Sequence, residues 1–286
     1  MRLKFKKILV PTDFSQLSLN ALNYAGTLAR LTEAEISLLH VLELYELHSH
    51  LSEILDMKKV VEKAVSEKLT QIQKENASLL GVKIKAHVVS GNVTEEIQKF
   101  AKEQKTDLIV MGTHGVRGIT EVNRYLLGST AYRLVHLSEC PVITIREPQK
   151  KPQFKTIVLP LDTTKETTQK VKYAMGFAKL FASTVHVISV STFFEEFRYN
   201  LSELKLQLNK VTDQLIKENI DVKTQMIRHE DVADSVMEYA RKVKADLIII
   251  MVREESINEA ILGSRAKKII TRSSIPVLSL RPAKAK

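Results

Sequence analysis

The sequence repeats itself. KKILVPTDFSQLSLNALNYAGTLARLTEAEISLLHVL, from Lys6, lies over KTIVLPLDTTKETTQKVKYAMGFAKLFASTVHVISV, from Lys155. Pro11 meets Pro160, Asp13 meets Asp162, Tyr24 meets Tyr173 and Val41 meets Val190, all at an offset of 149. Further on, TDLIVM meets ADLIII at an offset of 139 and CPVITIR meets IPVLSLR at 135. A repeat of this length makes each copy a folding unit, and 286 residues suit two such units. The expected domains are 1–147 and 154–286, joined by the charged, two-proline linker EPQKKPQF at 147–154.

Inside each copy, short β-branched runs alternate with helical patterns. In the first, strands are predicted near 7–11, 35–42, 82–89, 107–111 and 142–146, with helices near 16–31, 57–80, 94–104 and 123–138. ILV, DLIVM and VITI are continuously apolar, as strands covered on both faces must be. Five strands with four intervening helices give an α/β fold, a doubly wound parallel sheet with right-handed crossovers. In such sheets ligands sit beyond the carboxyl ends of the strands where the connections diverge. That rule selects PTD at 11–13, HVL at 40–42 and the glycine-rich stretch GTHGVRGITEVNRYLLGST at 112–130.

Glycine allows positive φ and close approach of backbone N–H groups, and a helix start behind such a loop adds a dipole that favours anions. Gly128-Ser129-Thr130 adds two hydroxyls suited to phosphate oxygens, so the ligand class indicated is a nucleotide. The loop is neither a P-loop nor a dinucleotide fingerprint, because GxxxxGK[ST] is absent and the glycines follow the fourth strand.

VPTDFS, LLHV, DLIVMGTHG, LLGST and CPVITIR together resemble the universal stress protein family in its tandem two-domain form, over nearly all of both halves. The resemblance implies five-stranded sheets in the order 3-2-1-4-5, Rossmann-like, packed through their last strands. For the branch that binds ATP it implies a nucleotide in the first domain. Pro11, Thr12 and Asp13 would line the adenosine, with Asp13 near the ribose, and Val41 would meet adenine through its backbone. Gly112, Thr113, His114, Gly115, Val116, Arg117 and Gly118 would wrap the ribose and phosphates, with Gly128, Ser129 and Thr130 on the phosphate tail. Mg2+ or Mn2+ would accompany ATP, and the assembly would be a homodimer of four domains with a protein partner unnamed by the sequence. The family spaces its signature as G-x2-G-x9-G-[S/T]. Counting from Gly112 and Gly115 leaves three surplus residues before Gly128, whereas counting from Gly115 and Gly118 leaves none. Gly115, Gly128 and Ser129 belong to both readings.

The second copy reads MVREESINEAILGSR at the equivalent loop: Met251 replaces Gly112, Glu254 replaces Gly115, and Glu230 replaces Gly91. Side chains should fill that strand end and Glu254 and Glu255 should repel phosphate, so ATP is expected in the first half only. The second domain is then structural or partner-binding. The net charge of +10 is uneven, with 20 Lys and Arg against 17 Asp and Glu in residues 1–150 and 23 against 16 in the rest. Many of these lysines alternate with glutamates along helices, the pattern of a solvated face, and nucleic acid is not expected as a partner. The start MRLKFKKILVP has an apolar run too short for a signal peptide or a span, and a cytoplasmic location is expected. The single cysteine, Cys140, precedes an apolar strand and reads as a buried structural thiol.

His48 and His50, with His87 or His114, form a weak metal-ligand pattern, and 43–56 reads as a connection placed to cover adenine. No assembled catalytic set is legible, so at most weak ATP hydrolysis is expected. The alternatives to an ATP-binding regulator are an ATP hydrolase and a nucleotide-free interaction scaffold.

Overall fold

The computed structural model describes residues 3–43, 51–113, 128–148, 152–161, 167–191, 201–252 and 264–282, with backbone alone for 51–58, 167–168 and 201. In the first half the strands are β1 (Lys7–Pro11), β2 (Glu35–Leu42), β3 (Ile84–Ser90), β4 (Leu108–Gly112) and β5 (Val142–Ile145). They alternate with α1 (Gln16–Thr32), α2 (Leu51–Leu80), α3 (Val93–Glu103) and α4 (Ser129–Leu137). The second half repeats the order as β6 (Thr156–Leu161), α5 (Thr167–Phe181), β7 (Thr184–Ser191), α6 (Leu201–Lys217), β8 (Val222–Arg228), α7 (Val232–Lys242), β9 (Leu247–Met251), α8 (Ser264–Arg272) and β10 (Val277–Leu280).

The strands form one ten-stranded sheet in the order β3-β2-β1-β4-β5-β10-β9-β6-β7-β8. Each half therefore has the expected 3-2-1-4-5 order, and all pairs are parallel except one. That one is β5 with β10, antiparallel through Val142↔Ser279, Ile143↔Leu278 and Thr144↔Val277. The packing of units through their last strands is thus made inside a single chain.

Strand residues alternate between the two faces, so Ile8 and Val10 enter one core and Leu9 the other. The first core lies under α1, α2, α5 and α6, and the second under α3, α4, α7 and α8. Both cores run across the junction between halves. On the first face, Phe154 sits 5.8 Å from Tyr24, 5.3 Å from Phe177 and 4.9 Å from Phe181, ring centre to ring centre. Phe5 meets Phe177 at 6.2 Å. These edge and tilted contacts are the favoured geometries for aromatic pairs.

Two local expectations change. Phe154, placed in the linker by its neighbours, has no exposed surface and anchors the shared core. Helix α2 begins at Leu51, so 51–56 is helical and the connection after β2 is shorter than 43–56. Helix α4 begins at Ser129 after an extended Gly128 (φ −56°, ψ 141°), and residues 123–127 of the expected helix lie outside those described. No helix among the described residues is long and apolar enough to cross a membrane.

Candidate functional site

Where the strands part is decided by a proline. In a parallel sheet each residue turns both its N–H and its C=O to the same side, alternating along the strand. Lys6 and Thr12 bond to β2, through Glu35 N–H to the Lys6 carbonyl (2.9 Å) and Thr12 N–H to the Leu39 carbonyl (2.8 Å). Even residues of β1 therefore face β2, and Leu9 and Pro11 face β4. Pro11 has no N–H to give, and the β1–β4 register ends at Leu9↔Ile109. Pro160 repeats this, the β6–β9 register ending at Val158↔Ile248. Each half thus has a gap above its central strand pair.

In the first half the neighbours of β1 continue past its end. The β1–β2 register stops at Pro11↔Leu39, while β2–β3 runs on to Leu42↔Ser90. Val41 is turned to the β1 side by the same alternation. The next rung would join its N–H to the Thr12 carbonyl, but that oxygen receives the His40 ring at Nδ1, 2.7 Å away. Val41, half-buried, therefore directs backbone polar groups into the gap. From the other side, Ile109 N–H and Thr113 N–H bond toward β5 (3.0 and 2.9 Å), which turns Gly112 to the β1 side.

The turn after β1 is tightly built. Thr12 is buried; its Oγ1 accepts from Phe14 N–H at 3.1 Å and lies 3.0 Å from Ser18 Oγ. Asp13 Oδ1 accepts from Ser15 N–H (3.1 Å) and from Ser15 Oγ (2.6 Å), and Ser15 in turn caps α1 by accepting from Ser18 N–H. Phe14 takes a positive φ of 65°, its ring stacked on His40 at 4.4 Å with the Lys68 ammonium over it at 4.6 Å. The sequence reading missed the capping role of Ser15 and the grouping of Phe14 with His40 and Lys68.

Gly112 is glycine for a reason nearer home than phosphate. A Cβ there would stand 2.9 Å from Leu17 Cγ, so the first turn of α1 can lie against the strand end only while the side chain is absent. Thr113 is buried, and its carbonyl accepts from Gly128 N–H at 3.0 Å, which brings the two ends of the glycine-rich stretch together. His114, Gly115, Val116, Arg117 and Gly118 lie outside the described residues, as do His48 and His50. Gly128 makes no side-chain cap and no acid stands in the first turn of α4, so among the described residues its own first turn offers the N–H groups of Ser129 and Thr130 no counter-charge. Among the described residues no group of three His, Cys, Asp or Glu is arranged to hold a metal.

The second half closes its gap. Lys170, only 3% exposed, stands where α1 has Ala21 and donates from Nζ to the Pro160 carbonyl at 2.8 Å. Met251 and Val252 are buried at the end of β9. Sequence reading found Met251 but missed Lys170, whose burial a lysine in an amphipathic helix does not announce.

Comparison with known proteins agrees with this architecture. The universal stress protein family model matches residues 4–146 and again 153–281. The chain belongs to the universal stress protein family. A universal stress protein of Methanocaldococcus jannaschii is 34% identical over 158 residues, covering 51% of this chain and 85% of its own length. Another, from Bacillus subtilis, is 33% identical and covers 50% of this chain and 99% of its own. A universal stress protein structure from Archaeoglobus fulgidus superimposes with a TM-score of 0.76 at 22% identity, covering 98% of this chain and all of that one, a likeness of fold. Two tandem universal stress protein domains, each a parallel α/β sheet, are therefore the architecture of this member.

Proposed function

We propose that the first half binds an adenine nucleotide, ATP, in the gap above β1, and that the protein is a cytoplasmic ATP-binding regulator of the stress response. The observation that carries this is the contrast between the two gaps: one flanked by the Val41 backbone and the uncapped start of α4, the other stoppered by Lys170. Adenine would be read by the Val41 N–H and C=O, a donor and acceptor pair on one edge. Asp13 stands at the ribose side with Pro11 and Thr12, the 112–118 stretch wraps the phosphates, and Gly128, Ser129 and Thr130 receive the tail through N–H and hydroxyl donors. Mg2+ or Mn2+ rides on the triphosphate, its charge answered by phosphate oxygens. Occupancy would order 112–130 and alter a surface read by a protein partner. Because β5 and β10 already pair within the chain, a homodimer of four domains would use a different surface.

The test is calorimetric titration of the full chain with ATP, beside mass spectrometry of the ligand released from protein purified without added nucleotide. Val41→Pro puts the ring where the N–H pointed while leaving the β2–β3 ladder intact, and a loss of at least about tenfold in affinity is expected, the order of one hydrogen bond to a buried group. No heat with ATP from the wild type would overturn the reading. ADP or AMP recovered with steady turnover would favour the hydrolase.

A further inference from the structure

A cavity of about 510 Å3 opens at the amino end of the first sheet, between the last turns of α3 and the end of α4. It is separated from the gap above Pro11 by the length of β4, roughly 15 Å for five residues. Gln98, Lys99, Lys102, Lys105, Thr106 and Cys140 line it. Three observations single it out.

The Gln98 Nε2 is buried and has no hydrogen-bond partner. A buried donor in that state lowers stability until an acceptor arrives. Second, neither Lys102 nor Lys105 has an ion-pair partner among the described residues, and Lys99 has only Glu96 at 4.0 Å. Third, the repeat supplies an internal comparison. At the equivalent positions the second half has Met237 for Gln98, Glu238 for Lys99, Ala245 for Thr106 and Ile275 for Cys140. Met237, Ala245 and Ile275 are buried in the apolar core. The same fold therefore closes this place with hydrocarbon in one copy and keeps it open and polar in the other.

We infer that this cavity binds a small molecule bearing a carboxylate or phosphate group. Its oxygens accept from the Gln98 amide and the lysine ammonium groups, and a short apolar body lies against Ala101 and Leu137. Glu95 and Glu139 also face the cavity, and the carboxyl ends of α3 and α4 add partial negative charge. The field is therefore weak, affinity rests on hydrogen-bond geometry, and a polyanion is disfavoured. Cys140, the single cysteine, is half-buried rather than sealed in the core, and burial foremost raises its thiol pKa, so it reacts slowly and reports on the cavity.

The experiment uses the full chain without nucleotide, at constant ionic strength. Inorganic phosphate and succinate are titrated calorimetrically, and the rate of Cys140 alkylation by iodoacetamide is measured with each. Saturable binding of either ion with a severalfold slowing of alkylation is expected; phosphate alone names a phosphate ligand, succinate alone a carboxylate. Gln98→Met, the second half's own residue, should weaken binding at least about tenfold while holding or raising Tm. If that variant is unstable, Lys102→Gln on the exposed helix face tests the lysine contact at the same cavity and should weaken binding severalfold. Binding of neither ion, alkylation unchanged by both, or variants that bind like wild type would overturn the proposal.

Discussion

Pro11 and Gly112 act through what they lack. One withholds the N–H that would have zipped β1 to β4, and the other withholds the Cβ that would have met Leu17. Gly112→Ala is expected to destabilise the chain by about 1–3 kcal/mol, the ordinary cost of overpacking. In a double-mutant cycle measured by urea unfolding, Leu17→Ala should relieve part of that loss, and strict additivity would show that the clash relaxes elsewhere. His186 makes a second prediction at this scale. It is buried on β7 with Nδ1 2.9 Å from the Tyr239 hydroxyl, and burial, then Lys223, push its pKa below the ordinary 6.5 against the opposing pull of Asp221. The unfolded chain takes up this proton first as pH falls, so stability is complete above about 6.5 and declines below it until the folded pKa is passed. His87 is shifted the same way, by burial first. Urea midpoints from pH 7.5 to 5.5 should fall, and His186→Gln should flatten part of that slope. Glu35 acts in a lower window: burial raises its pKa, but hydrogen bonds from Lys83 and Lys85 outweigh this and hold it down.

At the scale of elements, the repeat and the apolar runs made all five strands and four helices of the first half legible. The difference among the described residues is at α2, which is already helical at Leu51 where periodicity placed its start near 57. The start of α1 shows a stop and a start sharing side chains, because Ser15 both caps the helix and holds the Asp13 carboxylate. Ser15→Ala should cost about 1 kcal/mol through the lost cap. Under the proposed ATP-binding function it should also weaken ATP affinity, since Asp13 would lose the hydroxyl that holds its carboxylate; unchanged affinity would count against a ribose-side role for Asp13. In the second half, Lys268 ties α8 to the start of α7 by bonding both Asp231 and Asp234 at 2.7 Å.

Across the whole molecule, the two copies are one structure with two fates. The β5–β10 ladder makes the sheet continuous, and the aromatic cluster of Phe5, Tyr24, Phe154, Phe177 and Phe181 belongs to both halves. Unfolding of the full chain should therefore be a single calorimetric transition, with Phe154→Ala lowering stability by about 3–5 kcal/mol; two resolved transitions would show that the halves unfold independently. Joining the sheets at β5 and β10 also leaves β3 and β8 as the outer edges.

The sequence by itself determined the doubling and the parallel α/β class, because hydrophobic periodicity and repeated motifs are local and survive without coordinates; the strand order was what the family resemblance implied. Pro11, Asp13, Val41 and the glycines were all readable from their positions after strands. The tertiary structure decided what the described ones meet. That His40 takes the Thr12 carbonyl, that Leu17 requires Gly112 to be bare, that Lys170 stoppers the second gap and that the Gln98 Nε2 is buried with no acceptor are facts of proximity between different elements. Patterns along a chain specify which face a residue shows, but only packing specifies what it meets there.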